Sequence, residues 1–107
     1  MAEVSVTYSV DDVIGALSGA DTYVISAAYS GRYEMVDIVI DAELALQQAD
    51  LTEKQLEVMY YIWIVGWTQD FTAKVLGVSQ SAVSQREFVA RKNIQKVLDR
   101  WAGEVDV

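Results

Sequence analysis

Hydrophobic residues recur at intervals of three and four through most of the chain, which is the spacing of amphipathic helices. The clearest example covers residues 32–48, where the polar positions are mostly acidic. The pattern predicts a helix with one buried apolar side and one acidic side in water. Its apolar positions are Met35, Ile38, Val39, Ala42, Ala45 and Leu46, and its outer positions are Glu34, Asp37, Asp41 and Gln48.

The residues before this helix carry shorter patterns. Residues 4–8 alternate apolar and polar side chains, which is consistent with a short strand. Ser9 followed by two aspartates is typical of a helix start, because acids are favourable in the first turn. The helix is predicted to run to about Leu17 and to end at Gly19, and a second short helix is predicted over residues 21–29.

A capping box begins the next predicted helix. Thr52 and Gln55 stand three residues apart, so each side chain can accept a hydrogen bond from the backbone N–H of the other. The helix is predicted to reach about Val65. Apolar residues surround it on all sides, which predicts burial on more than one side. These residues are Leu56, Met59, Tyr60, Trp63 and Ile64, with Val58, Tyr61, Ile62 and Val65 beside them.

The following stretch has the spacing of a helix-turn-helix. Thr68 is placed to cap its first helix and Ser79 to cap its second. The small Ala73 allows the two helices to approach closely. Gly77 ends the first helix at a point where the chain turns with positive φ, which glycine adopts at low cost. Val83 is predicted to anchor the second helix in the core.

The second helix of this motif is predicted to extend to about Trp101, so the fold class is all-α. We expect an acidic helical segment in residues 1–50, for oligomerisation or partner contact, and a C-terminal helix-turn-helix domain in residues 51–107. The early, exposed turns of the last helix would carry Gln80, Ser81, Ser84 and Gln85. Its predicted core stripe is Val83, Ala90, Ile94, Val97 and Trp101, with Phe88 and Leu98 beside it.

Composition excludes several kinds of chemistry. The chain has no Cys, no Pro and no His, so disulfides, thiolate metal sites and His-dependent catalysis are ruled out. No serine has a base partner, and we therefore expect no enzyme, no catalytic residue and no cofactor. Glu34, Asp37 and Asp41 are interpreted as a solvated helix face rather than as a metal site. The strongest apolar cluster, residues 59–67, is shorter than the ~20 residues of a membrane span, which favours a cytoplasmic protein without a membrane contact.

The charge of the chain is unevenly distributed. The formal net charge is −8, and residues 1–50 account for all of it, with nine acids against Arg32. Residues 74–100 hold six bases and two acids, a local charge of +4. The positive charge therefore lies on the helix that would contact DNA, whereas the acidic half would repel a duplex at low salt.

Residues 51–101 resemble region four of bacterial sigma factors, and more closely the short sigma-like proteins of phages and prophages. This resemblance implies reading of the −35 promoter element in the major groove and docking on the flap of the RNA polymerase β subunit. The matching segments are Leu51-Thr52-Glu53-Lys54-Gln55, Gly66-Trp67-Thr68-Gln69, Ala73, and the run from Leu76 to Arg86.

The resemblance also assigns functions to individual residues. Four polar side chains early in the last helix become candidates for base reading. Glutamine can make two hydrogen bonds to adenine N6 and N7, and serine can bond to donors or acceptors on any base edge. A carboxylate at Glu87 would repel phosphate if it faced DNA. The base-reading candidates are Gln80, Ser81, Ser84 and Gln85; the phosphate candidates are Thr68, Lys74, Ser79, Arg86, Arg91 and Lys92; and the candidates for partner contact are Tyr61, Trp63 and Trp67.

Three functions remain open at this point. The first is a promoter-binding regulator that contacts double-stranded DNA and RNA polymerase. The second is a protein-interaction module that binds polymerase or another regulator without reading DNA. The third is a DNA-packaging module resembling a small terminase subunit. The density of aromatic residues over residues 60–67 exceeds what a few small helices readily bury, which favours a homodimer or docking on a larger protein.

Overall fold

The computed structural model describes residues 8–19 and 34–105, and all the regular elements within those two ranges are helices. The all-α prediction is confirmed for this part of the chain. The predicted helix at residues 21–29 lies outside the described residues, as does the predicted strand apart from Tyr8, which belongs to no strand. The helices are α1 (Val10–Ser18), α2 (Glu34–Gln48), α3 (Glu53–Met59), α4 (Gln69–Leu76) and α5 (Gln80–Val105), and α3 continues directly into a π-helical segment, Tyr60–Val65.

The predicted capping box at Thr52 forms, and the predicted helix start at Ser9 is a second capping box. Ser9 Oγ accepts from the backbone N–H of Asp12 at 3.2 Å, and the Asp12 carboxylate accepts from the Ser9 N–H at 2.8 Å. Thr52 and Gln55 make the same reciprocal pair at 3.2 and 3.0 Å. These bonds satisfy backbone donors that no helical carbonyl can reach, and they fix where α1 and α3 begin.

The main core lies where α1, α2 and the C-terminal half of α5 pack together with the π-helical segment. The predicted apolar side of α2 is confirmed, since Val39, Ala42 and Ala45 are buried. One cluster therefore joins residues from both predicted segments of the chain. Its buried members are Val10, Val13, Ala16, Ala42, Ala45, Ala49, Met59, Trp63, Ala90, Ile94, Val97 and Leu98.

Polar contacts reinforce this packing in the middle and at the C-terminal end of α2. The Tyr8 hydroxyl donates to the Asp41 carboxylate at 2.8 Å, and burial together with this bond raises the pKa of Tyr8 to about 12. At the C-terminal end, Gln48 Oε1 accepts from Arg100 Nη2 at 3.0 Å and from Trp101 Nε1 at 2.9 Å. Gln48 is exposed, as the sequence pattern predicts, whereas Asp41 is partly buried.

Two burial predictions have different outcomes. The helix formed by α3 and its π-helical extension is buried on more than one side, as predicted, because Val58 belongs to one hydrophobic cluster and Met59 and Trp63 to another. Its residues Leu56, Tyr60 and Ile64 are nevertheless exposed. Phe88 does not lie beside the core stripe but is 62 % exposed. It follows Val83 by five residues, which places it about 140° round the helix from that core position.

Candidate nucleic-acid interface

The helix-turn-helix is built from α4, the turn at Gly77 and the start of α5. Gly77 has φ of 71°, the left-handed conformation predicted for it, and the N–H of Val78 donates to the Ala73 carbonyl at 3.0 Å. Ser79 Oγ accepts from the N–H of Ala82 at 3.0 Å and so caps α5. Val83 is fully buried, as predicted. The turn is therefore fixed by one glycine and one cap, and it determines how α5 projects from α4.

A second, smaller core holds the motif together. Val58, Ala73 and Val83 are buried against one another, with Ile62, Leu76 and Val78 partly buried around them. The α4 helix begins at a cap in which Thr68 Oγ1 accepts from the N–H of Phe71 at 3.1 Å. Thr72 is also fully buried, and its hydroxyl donates to the Thr68 carbonyl at 2.8 Å. The polar group of Thr72 is thus satisfied inside the motif.

The four base-reading candidates lie on the first turns of α5 and are all exposed: Gln80, Ser81, Ser84 and Gln85. Their backbone belongs to a helix whose N-terminal N–H groups also favour anionic groups such as phosphate. The structure therefore brings these side chains together at one accessible helix end, where Ser81 and Gln85 point away from the core side of Val83 and Ala90 and Gln80 and Ser84 lie beside that side.

The phosphate candidates have different surroundings. Thr68, Ser79 and Lys92 are exposed, and Arg86 is half-buried. Lys74 is exposed and pairs with Asp70 at 3.3 Å, a surface ion pair that contributes little to stability. Arg91 differs from the others, because it takes part in a contact between helices.

Arg91 lies between α5, α1 and the π-helical segment. Its Nη1 is 3.3 Å from the Asp11 carboxylate, and its Nε is 3.8 Å from that of Glu87. The guanidinium lies over the Trp63 ring, 5.6 Å from the centroid. An aspartate of the acidic N-terminal segment therefore pairs with an arginine that was expected to bind phosphate.

Glu87 points into the molecule and not toward solvent. Only 13 % of its side chain is exposed. Its Oε2 accepts from Trp63 Nε1 at 2.8 Å, and its Oε1 accepts from Gln69 Nε2 at 2.6 Å. The carboxylate thus connects α5, α4 and the π-helical segment, and its charge faces hydrogen-bond donors inside the fold. Position 87 falls on the core stripe, four residues after Val83 and three before Ala90, so the spacing along α5 indicates an inward side chain. Sequence reasoning missed this role because a glutamate is ordinarily placed in solvent.

The aromatic residues before α4 form a chain of ring contacts across the surface. Tyr61 and Trp67 stack with centroids 4.5 Å apart and planes 4° apart. Tyr60 contacts the edge of Tyr61 at 5.3 Å, and Phe71 contacts Trp67 at 4.8 Å. Tyr60 and Phe71 are exposed, and Tyr61 and Trp67 are partly so. Trp63 is buried, with 6 % of its surface accessible, so it is a core residue in this structure.

A groove of about 620 Å³ opens between the N-terminus of α1 and the outer side of α5. Its walls include Val10, Asp11, Phe88 and Lys92. Within residues 8–19 and 37–103, no three acidic side chains converge as a metal site would require. Among the helices that the structure describes, none combines the length and the apolar character needed to cross a bilayer.

Comparison with known proteins gives one family. Residues 49–96 match the model of the family described as Sigma-70, region 4, which comprises α3, the π-helical segment, α4 and most of α5. These residues therefore form a sigma region four-like helix-turn-helix, and that family consists of DNA-binding domains and not of enzymes. No curated protein and no solved structure gives a significant match to the chain.

Proposed function

We propose that this protein is a cytoplasmic, sequence-specific transcription regulator that reads promoter DNA with the start of α5 and contacts RNA polymerase. The observation that carries the proposal is the exposure of Gln80, Ser81, Ser84 and Gln85 together on the first turns of a capped helix. Side chains at this place in a helix-turn-helix enter the major groove and contact base edges. Glutamine can bind adenine N6 and N7 with two hydrogen bonds, which gives sequence discrimination.

The charge around this site is compatible with binding to the phosphates of a duplex. Arg86 and Lys92 flank the base-reading side chains, and cations at such positions bind phosphates and determine the register of the helix on the duplex. Glu87 does not oppose this, because its carboxylate is held by Trp63 and Gln69 on the inner side of α5. The net charge of −8 on the whole chain predicts weak binding, and the dependence of that binding on salt should report how many phosphates the cations of α5 neutralise.

The experiment is duplex binding at several salt concentrations, using fragments from the genomic neighbourhood of the gene. We expect sequence-selective binding that the double variant Gln85→Ala, Arg86→Ala abolishes. Lys54→Ala is the matched control, because it removes an exposed cation from α3 and should leave sequence selectivity unchanged. Unchanged promoter binding by the double variant would refute the assignment of these residues. No binding at low salt would instead favour a protein-interaction module.

The polymerase contact is proposed for the aromatic chain from Tyr60 to Phe71. Exposed aromatic rings are enriched where proteins bind one another, because they bury a large area with few rotatable bonds. Binding of the full chain to purified RNA polymerase should weaken in Tyr60→Ala and Phe71→Ala, both of which remove exposed side chains. Equal polymerase affinity in both variants and the wild type would exclude this surface. A homodimer through the same rings would appear as a concentration-dependent mass in solution.

A further inference from the structure

Phe88 is the most exposed large apolar side chain among the described residues. Single apolar side chains are common on protein surfaces, so exposure alone assigns no role to it. Its position on α5 is more informative. Phe88 comes three residues after Gln85 and seven after Ser81, and at 3.6 residues per turn these side chains lie on one side of the helix.

The spacing is one that recognition helices use. In the homeodomain, four side chains at positions i, i+3, i+4 and i+7 contact the bases. Ser81, Ser84, Gln85 and Phe88 have these intervals, and all four are exposed. Phe88 therefore takes the fourth position in a set whose first three members are polar.

The chemistry of a phenyl ring limits what it can contact there. The ring offers no hydrogen-bond donor and no acceptor of the kind that base edges require. The C5 methyl of thymine is the apolar group on the major-groove edge of a base pair, and phenylalanine is among the residues that contact it. Lys92 lies one turn further along the same side, where a cation suits the adjacent phosphate.

We infer that Phe88 contacts a thymine methyl group in the bound duplex and so helps to determine which sequence α5 selects. The inference rests on the proposed function, since it requires α5 to lie in the major groove. It adds an apolar contact to a set of residues that otherwise recognises bases by hydrogen bonds. A protein segment bound in the groove between Phe88 and α1 is the competing use of the same side chain.

The test begins with duplexes selected by the full chain from a random-sequence library. Each thymine in a selected duplex is then replaced by deoxyuridine, which keeps the base pair and removes the methyl group. For the wild type, one replacement should weaken binding by about fourfold, the effect of exposing one buried methyl group. Phe88→Ala should bind the thymine and uracil duplexes equally, and Phe88→Leu should restore part of the difference.

The controls separate this inference from the proposal on which it rests. Ile40→Ala removes an exposed apolar side chain from α2 and should discriminate thymine from uracil as the wild type does. Discrimination that persists in Phe88→Ala, or a wild type indifferent to every replacement, would overturn the inference while leaving DNA reading intact. Duplex affinity unchanged by Phe88→Ala would also overturn it and favour a protein partner. A library that yields no selected duplex would refute the proposed function and this inference together.

Discussion

The carboxylate of Glu87 gives the most direct test of how the helix-turn-helix is held to the rest of the fold. In Glu87→Gln the side chain keeps its shape but loses its charge and one acceptor oxygen. Two donors, Trp63 Nε1 and Gln69 Nε2, now compete for a single amide oxygen. We expect the oxygen to turn toward Trp63, because the buried indole N–H has no access to water, and Gln69 to lose its partner.

The expected loss of stability follows from these contacts. A hydrogen bond to a charged group contributes about 1.5–3 kcal/mol, and a neutral acceptor provides roughly half as much. The bond to Trp63 is weakened, and the bond to the half-exposed Gln69 is lost. Together these changes lower the free energy of unfolding by about 2 kcal/mol. A small domain has only about 5–15 kcal/mol of net stability, so the melting temperature should fall by roughly 10 °C.

Urea unfolding followed by circular dichroism measures this loss. Glu43→Gln is the matched control, because Glu43 is an exposed glutamate on α2, and its effect should stay within about 0.5 kcal/mol. A double-mutant cycle with Trp63→Phe should give a coupling energy of about 1 kcal/mol or more. A Glu87→Gln variant as stable as the control, or a coupling energy near zero, would refute the view that this carboxylate connects the three helical elements.

Two further predictions concern the backbone and pH. Gly77→Ala should lower the free energy of unfolding by about 1–2 kcal/mol, because its positive φ is strained for alanine even though no atom lies within 4 Å of the added Cβ. Gly15→Ala, inside α1, should raise it by about 0.5–1 kcal/mol. Equal effects of the two substitutions in urea unfolding would contradict this. The neutral Tyr8 hydroxyl that donates to Asp41 should support folding fully below pH 10 and lose its contribution as the pH rises toward 12, since its pKa is raised. The stability difference between wild type and Tyr8→Phe should therefore shrink over that pH range, and a constant difference would count against the contact.

Features determined by neighbouring residues were predictable from the sequence. The caps at Ser9, Thr52, Thr68 and Ser79 and the turn at Gly77 depend on side chains within three or four residues, and all five form. The inward orientation of Glu87 follows from its place between Val83 and Ala90 on the core stripe, but its partners could not be predicted, because they are 18 and 24 residues away.

The exposed side of α3 could not be predicted for a related reason. Apolar residues surround that helix, so the pattern indicates burial on more than one side but cannot show which side lacks a covering element. The π-helical segment adds to the difficulty, because an i→i+5 turn changes the rotation per residue and shifts which later side chains face the core.

The single helix α5 runs for 26 residues through both halves of the fold. Its first turns carry the base-reading candidates, and its later turns carry Ile94 and Val97 into the core shared with α1 and α2. The acidic half therefore packs against the same helix that carries the base-reading candidates. Its rotation about the axis of α5, relative to those candidates, depends on the number of residues between them. One residue inserted after Lys92 would rotate the two ends by about 100° and separate them by about 1.5 Å. The number of residues in α5 therefore determines how the base-reading candidates are oriented relative to the acidic segment.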